Sequence, residues 1–210
     1  MKTIMWDVDT QRDFIQEDGA LYVEGSEEIR DNLGKITRFA REEGHPIFGS
    51  IDYHEDDDEE ISENPDFEET FPPHCLKDTD GWKKIKETQP ENPLWIDSKP
   101  LAPDQFEQTI SEHDGEIYLR KQRFDVFSNP NTEPILELAD PFQIAVYGVT
   151  LDVCVQRAIE GFLDRDYQVT LIEDATRALE ESNRSNILFD WKNLGVQVVN
   201  TEDALSGYLL

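Results

Sequence analysis

An apolar run, Phe142-Gln143-Ile144-Ala145-Val146-Tyr147, leads directly into Gly148-Val149-Thr150-Leu151-Asp152-Val153-Cys154-Val155. Beyond it, Val155, Ala158, Ile159, Phe162 and Leu163 recur at helical spacing. This order predicts a buried strand, a tight turn and an amphipathic helix. A chain that passes from a buried strand to a helix in so few residues is constrained toward parallel strand–helix architecture. Cys154 falls at the first turn of that helix. There the helix dipole and unpaired N–H groups favour a thiolate, making Cys154 a candidate nucleophile.

The same alternation runs along most of the 210 residues. Residues 3–8 read as a first strand. Ser26, followed by Glu27 and Glu28, opens a helix whose stripe is Ile29, Leu33, Ile36, Phe39 and Ala40, with Gly44 at its end. Strands are predicted at 45–51, 116–120, 142–149, 168–172 and 196–199, and further helices at 103–112 and 180–192. The pattern predicts an α/β fold. Its core is an open, mostly parallel six-stranded sheet with helices on both faces, in three α/β/α layers, and the chain forms one domain over 1–210. The exception is a long loop at about 53–101, acidic at Glu55-Asp56-Asp57-Asp58-Glu59-Glu60 and rich in proline later. A loop this long in a compact domain is usually functional.

Charge narrows the partners. Asp plus Glu number 47 against 19 Lys plus Arg, a net charge of −28. Such a surface repels nucleic acid and anionic membranes, so neither is an expected partner. The acidic residues are spread along the chain, as a solvated coat or an adaptation to high salt would have them. Two cysteines, Cys75 and Cys154, make no disulfide framework. No signal-peptide core or membrane-length apolar run is visible, so the expected location is the cytoplasm.

In an open parallel sheet, ligands collect outside the carboxyl ends of the strands. Those ends carry Asp9, Asp52-Tyr53-His54, Lys121 and the Cys154 turn. Taken singly, each has a structural reading: a buried inert thiol, a turn-forming aspartate, a solvated lysine. Together they suit acyl transfer through a thioester. A carboxylate takes the thiol proton, a lysine favours the thiolate, and backbone N–H groups hold the oxyanion. Asp52 and His54, with His74 from the long loop, form a second set that suits a divalent metal.

The motifs Asp9-Thr10-Gln11-Arg12-Asp13-Phe14, Asp52-Tyr53-His54, Phe71-Pro72-Pro73-His74-Cys75, Lys121 and Gly148 to Val155 occur in one order along nearly the whole chain. In this set the chain resembles the isochorismatase-like cysteine hydrolases, and among them the nicotinamidase/pyrazinamidase branch. The resemblance implies a catalytic triad of Asp9, Lys121 and Cys154. It also implies a cis peptide between Val149 and Thr150, aiming the Thr150 and Cys154 N–H groups at an oxyanion. Asp52, His54 and His74 would be metal ligands, to zinc foremost, with manganese, iron or magnesium as alternatives. A further ligand would come from Glu60 or Glu63, between which the sequence does not choose.

Phe14 and Phe71 would sandwich an aromatic ring. The implied activity is cysteine-dependent hydrolysis of a small aromatic amide to acid and ammonia, in a homo-oligomer. The alternatives are a carbamoyl or other small-amide hydrolase without a functional metal, and a non-catalytic binding protein on this fold. Phe71, where the branch typically has tryptophan, and Asp78, where it usually has glycine, are departures in the loop expected to shape the pocket.

Overall fold

The computed structural model describes residues 2–208. Seven strands form one wholly parallel sheet in the order β3-β4-β2-β1-β5-β6-β7. They are β1 Thr3–Val8, β2 Ile47–Asp52, β3 Leu94–Ile96, β4 Ile117–Lys121, β5 Gln143–Val149, β6 Gln168–Arg177 and β7 Gln197–Val199. The helices are α1 Arg12–Ile15, α2 Arg30–Glu43, α3 Pro103–Ser111, α4 Thr132–Ala139, α5 Cys154–Leu163, α6 Arg184–Asn193 and α7 Thr201–Asp203. The predicted α/β class and parallel sheet are present, with one strand more than the six expected.

The extra strand is β3, inside the segment read as a loop. Its three residues are flanked by Pro93 and Asp97, too short a run to show a period, and it forms by pairing with β4 at Leu94–Ile117. A second difference is β6, which runs past Ile172 to Arg177. Its pairing with β5 shifts register between Val146 and Gly148. Gly148 sits there at φ +119°, and a Cβ would stand 2.0 Å from the Val8 carbonyl oxygen, so only glycine lets β5 pass β1 so closely. The helix predicted from Ser26 begins as a 3₁₀ turn over Ser26–Ile29, and the Ser26 hydroxyl donates to the Phe14 carbonyl instead of capping. Gly44 ends α2 in the left-handed region, as expected.

Alternate residues of β1 divide the core between the two faces of the sheet. Ile4, Trp6 and Val8 pack with Val155, Ala158, Ile159 and Phe162 of α5, and Trp6 meets Phe162 edge-on at 4.9 Å. Met5 packs with Leu33, Ile36 and Ala40 of α2. The chain crosses from β1 through α2 to β2 on one side, and from β5 through α5 to β6 on the other. The order therefore reverses between β1 and β5, where a crevice opens at their carboxyl ends.

No helix of the described residues is long and apolar enough to cross a membrane. The acidic excess bears on stability. If that excess is a salt adaptation, added salt is expected to screen the self-repulsion and raise the melting temperature. A melting temperature that falls steadily from low to molar salt would contradict that reading.

Candidate active site and adjoining metal-ligand cluster

Four strand ends meet at the crevice. Asp9 follows β1, in the left-handed region at φ +46°. Asp52 ends β2, Lys121 ends β4, and Cys154 opens α5 after β5. The Val149–Thr150 peptide is cis. The turn that follows closes on one acceptor, the Thr150 carbonyl, which takes the N–H groups of Val153 at 3.1 Å and Val155 at 3.0 Å.

Lys121 is the hub. Its buried Nζ lies 3.0 Å from Asp9 Oδ2, donates to Asp52 Oδ1, and stands 3.5 Å from Cys154 Sγ. A carboxylate oxygen of Asp9 lies within 4.8 Å of Cys154 Sγ. Ser50 Oγ donates to Asp9 Oδ1 at 2.8 Å, which leaves Oδ2 facing the lysine. The structure thus brings Asp9, Lys121 and Cys154 together, although they are far apart in sequence.

A second cluster adjoins the first through Asp52. One donor atom from each of Asp52, His54, Glu60 and His74 lies within 4.8 Å of the others, and all four residues are buried. His74 Nε2 is 3.7 Å from Asp52 Oδ2 and 3.8 Å from Glu60 Oε1; His54 Nε2 is 3.9 Å from Glu60 Oε1. His74 Nδ1 is 2.7 Å from the Pro72 carbonyl, and His54 Nδ1 is 3.3 Å from an Asp58 carboxylate oxygen. Acceptors on the Nδ1 side place the proton there and turn the Nε2 lone pairs inward, an arrangement typical of metal-binding histidines. His54 Nε2 and Glu60 Oε2 are buried without a hydrogen-bond partner. These four residues fit a divalent cation.

The cleft beside both clusters is lined by Phe14, Leu21, Val23, Phe71, Phe124, Val149, Val153 and Leu179, with Asp52, Glu60, His74, Thr150 and Cys154. No lysine or arginine is among the described residues lining it. Phe14 and Phe71 both pack on His74, at ring-centroid distances of 5.5 and 6.4 Å, and Phe124 meets Phe71 edge-on at 5.6 Å.

A family model described as Isochorismatase domain matches residues 4–203. The chain belongs to the isochorismatase family. A relative from Arabidopsis thaliana, named a probable inactive nicotinamidase, is 24% identical over 192 residues, which is 90% of this chain and 88% of that protein. Among solved structures, the nicotinamidase/pyrazinamidase of Bacillus subtilis superposes with a TM-score of 0.75 at 21% identity, covering 95% of this chain and 100% of its own. The N-carbamoylsarcosine amidase of Thermoplasma acidophilum gives 0.73 at 23%, covering 96% and 97%. The pyrazinamidase of Pyrococcus horikoshii in complex with zinc gives 0.73 at 20%, covering 95% and 99%. At these identities the structural likeness establishes the isochorismatase-family fold.

Within this isochorismatase-family site, electrostatics differ from the sequence expectation at the thiol. The helix start suggests a thiolate, but burial pushes the Cys154 thiol well above its ordinary range. Lys121 pulls the other way, and the negative charges of Asp9, Asp52 and Glu60 oppose it. A thiol at rest therefore needs a base in reach. Burial also raises Asp9; Lys121 opposes this and the Asp52 charge adds to it, so a carboxyl poised to exchange a proton stands beside the thiol. For Lys121, burial opposes the charge, yet Asp52 and Asp9 outweigh it and hold the ammonium firmly protonated. Asp52 is held far below the usual carboxylate range: burial would raise it, but the Lys121 ammonium prevails. Glu60 is pushed up to about 8, by burial first and the Asp52 charge next.

Of the two glutamates left open by the sequence, Glu60 joins the cluster and Glu63 is exposed. The parallel bridge between Ile61 and Phe71 gives the segment its course, a signal absent from local sequence. Phe124, Val153 and Leu179 were not anticipated in the cleft. Val153 lies within the Gly148–Val155 motif, whereas nothing local marks Phe124 or Leu179.

Proposed function

We propose that this isochorismatase-family protein is a cysteine-dependent amidohydrolase that converts a small, neutral aromatic amide to its acid and ammonia. The observation that carries the reading is the buried lysine held between Asp9 and Cys154 in an apolar cleft. The names of the structural neighbours from Bacillus subtilis, Pyrococcus horikoshii and Thermoplasma acidophilum support amide chemistry. The aromatic and aliphatic side chains of the lining, Phe14, Phe71 and Phe124 among them, suit a flat ring.

In the proposed reaction, Asp9 takes the thiol proton as Cys154 Sγ bonds to the amide carbonyl carbon. Lys121 stabilises the sulfur as it gains charge. The tetrahedral oxyanion lies toward the Thr150 and Cys154 N–H groups. Asp9 then returns the proton to the leaving nitrogen, and ammonia departs as the C–N bond breaks. Water, deprotonated by Asp9, hydrolyses the thioester to the acid and restores the thiol. Asp52, His54, Glu60 and His74 would hold a divalent ion, zinc foremost. Such an ion supplies a Lewis-acidic anchor for a lone pair of the substrate. Phe14 and Phe71 restrict the ring to an orientation that presents its amide to Cys154.

The Arabidopsis relative, named a probable inactive nicotinamidase, favours a second reading, a non-catalytic binding protein. Ammonia release from nicotinamide, pyrazinamide, carbamoyl compounds and aliphatic amides, with and without chelator, decides between them. Release from a ring amide that declines with chelator supports the proposal. Release from carbamoyl compounds alone, unaffected by chelator, supports the metal-independent alternative, and none from any supports the non-catalytic reading. His74→Ala is expected to weaken metal binding by on the order of tenfold or more and to raise KM. Unchanged metal content after desalting would remove His74 from the ligands.

A further inference from the structure

The motif from Asp9 to Phe14 is only partly used by the proposed chemistry. Asp9 faces the thiol, but Gln11 and Asp13 contact no reacting group. Both bind the backbone of segments that carry the metal-ligand cluster. Gln11 is fully buried. Its Oε1 accepts from the Asp52 N–H at 2.7 Å, and its Nε2 donates to the Asp52 carbonyl at 2.8 Å. The carboxamide thus pairs with Asp52 as the peptide of a neighbouring strand would. Its second amide hydrogen goes to the Trp82 carbonyl at 2.8 Å.

Asp13 serves the other side of the cluster. Its Oδ2 accepts from the Cys75 N–H at 2.7 Å, the peptide that joins Cys75 to His74, and its Oδ1 accepts from the Ala20 N–H at 3.1 Å. Cys75 is in the left-handed region at φ +46°, where a residue with a Cβ is uncommon and needs support from its surroundings. Gly81 packs against the carboxylate so closely that a Cβ would stand 2.0 Å from Oδ2. The Gly81–Lys84 strap is itself anchored. Asp13 N donates to the Gly81 carbonyl, Arg12 N to the Lys83 carbonyl, and Lys84 pairs with Asp7 at 2.9 Å in full burial.

We infer that Gln11 and Asp13 are positioning residues for the metal-ligand cluster: Gln11 sets Asp52, and Asp13 sets His74. This rests on the metal-centre reading above. One short turn after β1 then fixes the distance between thiol chemistry and metal ligands, although His74 comes from a long loop. Losing such an outer hydrogen bond typically weakens metal binding by about 10- to 100-fold.

The test uses the full chain and zinc ion as probe, with affinity read by competition against a chromophoric chelator. Asp13→Asn is nearly isosteric, yet it cannot accept from both Cys75 and Ala20 without a donor facing a donor. Gln11→Glu keeps the Asp52 N–H bond and loses both Nε2 bonds. Ile36→Val, on the buried face of α2, controls for a general loss of stability. Each site variant is expected to bind zinc at least tenfold more weakly at a temperature well below its melting point, with the control within twofold of the parent. If one site variant does not fold, the other carries the comparison. A parent that binds zinc and folded site variants within twofold of it would overturn the inference and leave the metal-centre reading standing. The control losing as much affinity as the site variants would overturn it likewise. A parent with no zinc affinity would overturn the metal-centre reading and this inference with it.

Discussion

Cys154→Ala is expected to abolish amide hydrolysis, with a loss on the order of 10⁴-fold or more in kcat, while the fold stays in place. The sulfur is the candidate nucleophile in the crevice, and no other group there replaces it: Asp9 and Asp52 are both engaged by Lys121. The structural effect is small, because alanine suits the first turn of α5 and the lost atom lies at the cleft wall. Ammonia release at saturating amide, with circular dichroism as the control for folding, measures the effect. Turnover near the parent level in folded protein would refute the assignment of Cys154.

Lys121→Ala is expected to damage stability and turnover together. The ammonium is the cation between two buried carboxylates, Asp9 and Asp52, and removing it leaves both without compensation. Breaking a buried ion pair in this way costs about 3–5 kcal/mol. In a chain of this length that corresponds to a melting temperature lower by roughly 6–20 °C. kcat is expected to fall by on the order of 10²–10⁴-fold, since the thiol loses the ammonium that favours its charged form. Denaturant titration at neutral pH reads the first effect and ammonia release the second. A variant as stable as the parent would mean that a proton or bound cation, not Lys121, balances the two acids.

Much of this architecture is legible in local pattern. The run at 142–149, the glycine that ends it and the stripe from Val155 to Leu163 dictate a strand, a turn and a helix wherever they occur. Once strands and helices alternate, parallel pairing follows, and residues just after the strands fall at one edge of the sheet. Asp9, Asp52, Lys121 and Cys154 are candidates for that reason alone. Other features do not belong to any local segment. β3 is strand only because β4 lies beside it, and β6 continues past Ile172 because the register shift at Gly148 gives it partners. Glu60 turns inward while Glu63 does not, through a bridge between residues ten positions apart.

The thiol shows the division most clearly. Sequence alone placed Cys154 at a helix start and supplied the acid and amine that could act on it. It could not say whether the sulfur is charged at rest, because periodicity and helix dipoles are local while burial is collective. Only the folded chain removes water from Cys154, sets three acids against one lysine around it, and so makes a nearby base a requirement of the proposed chemistry.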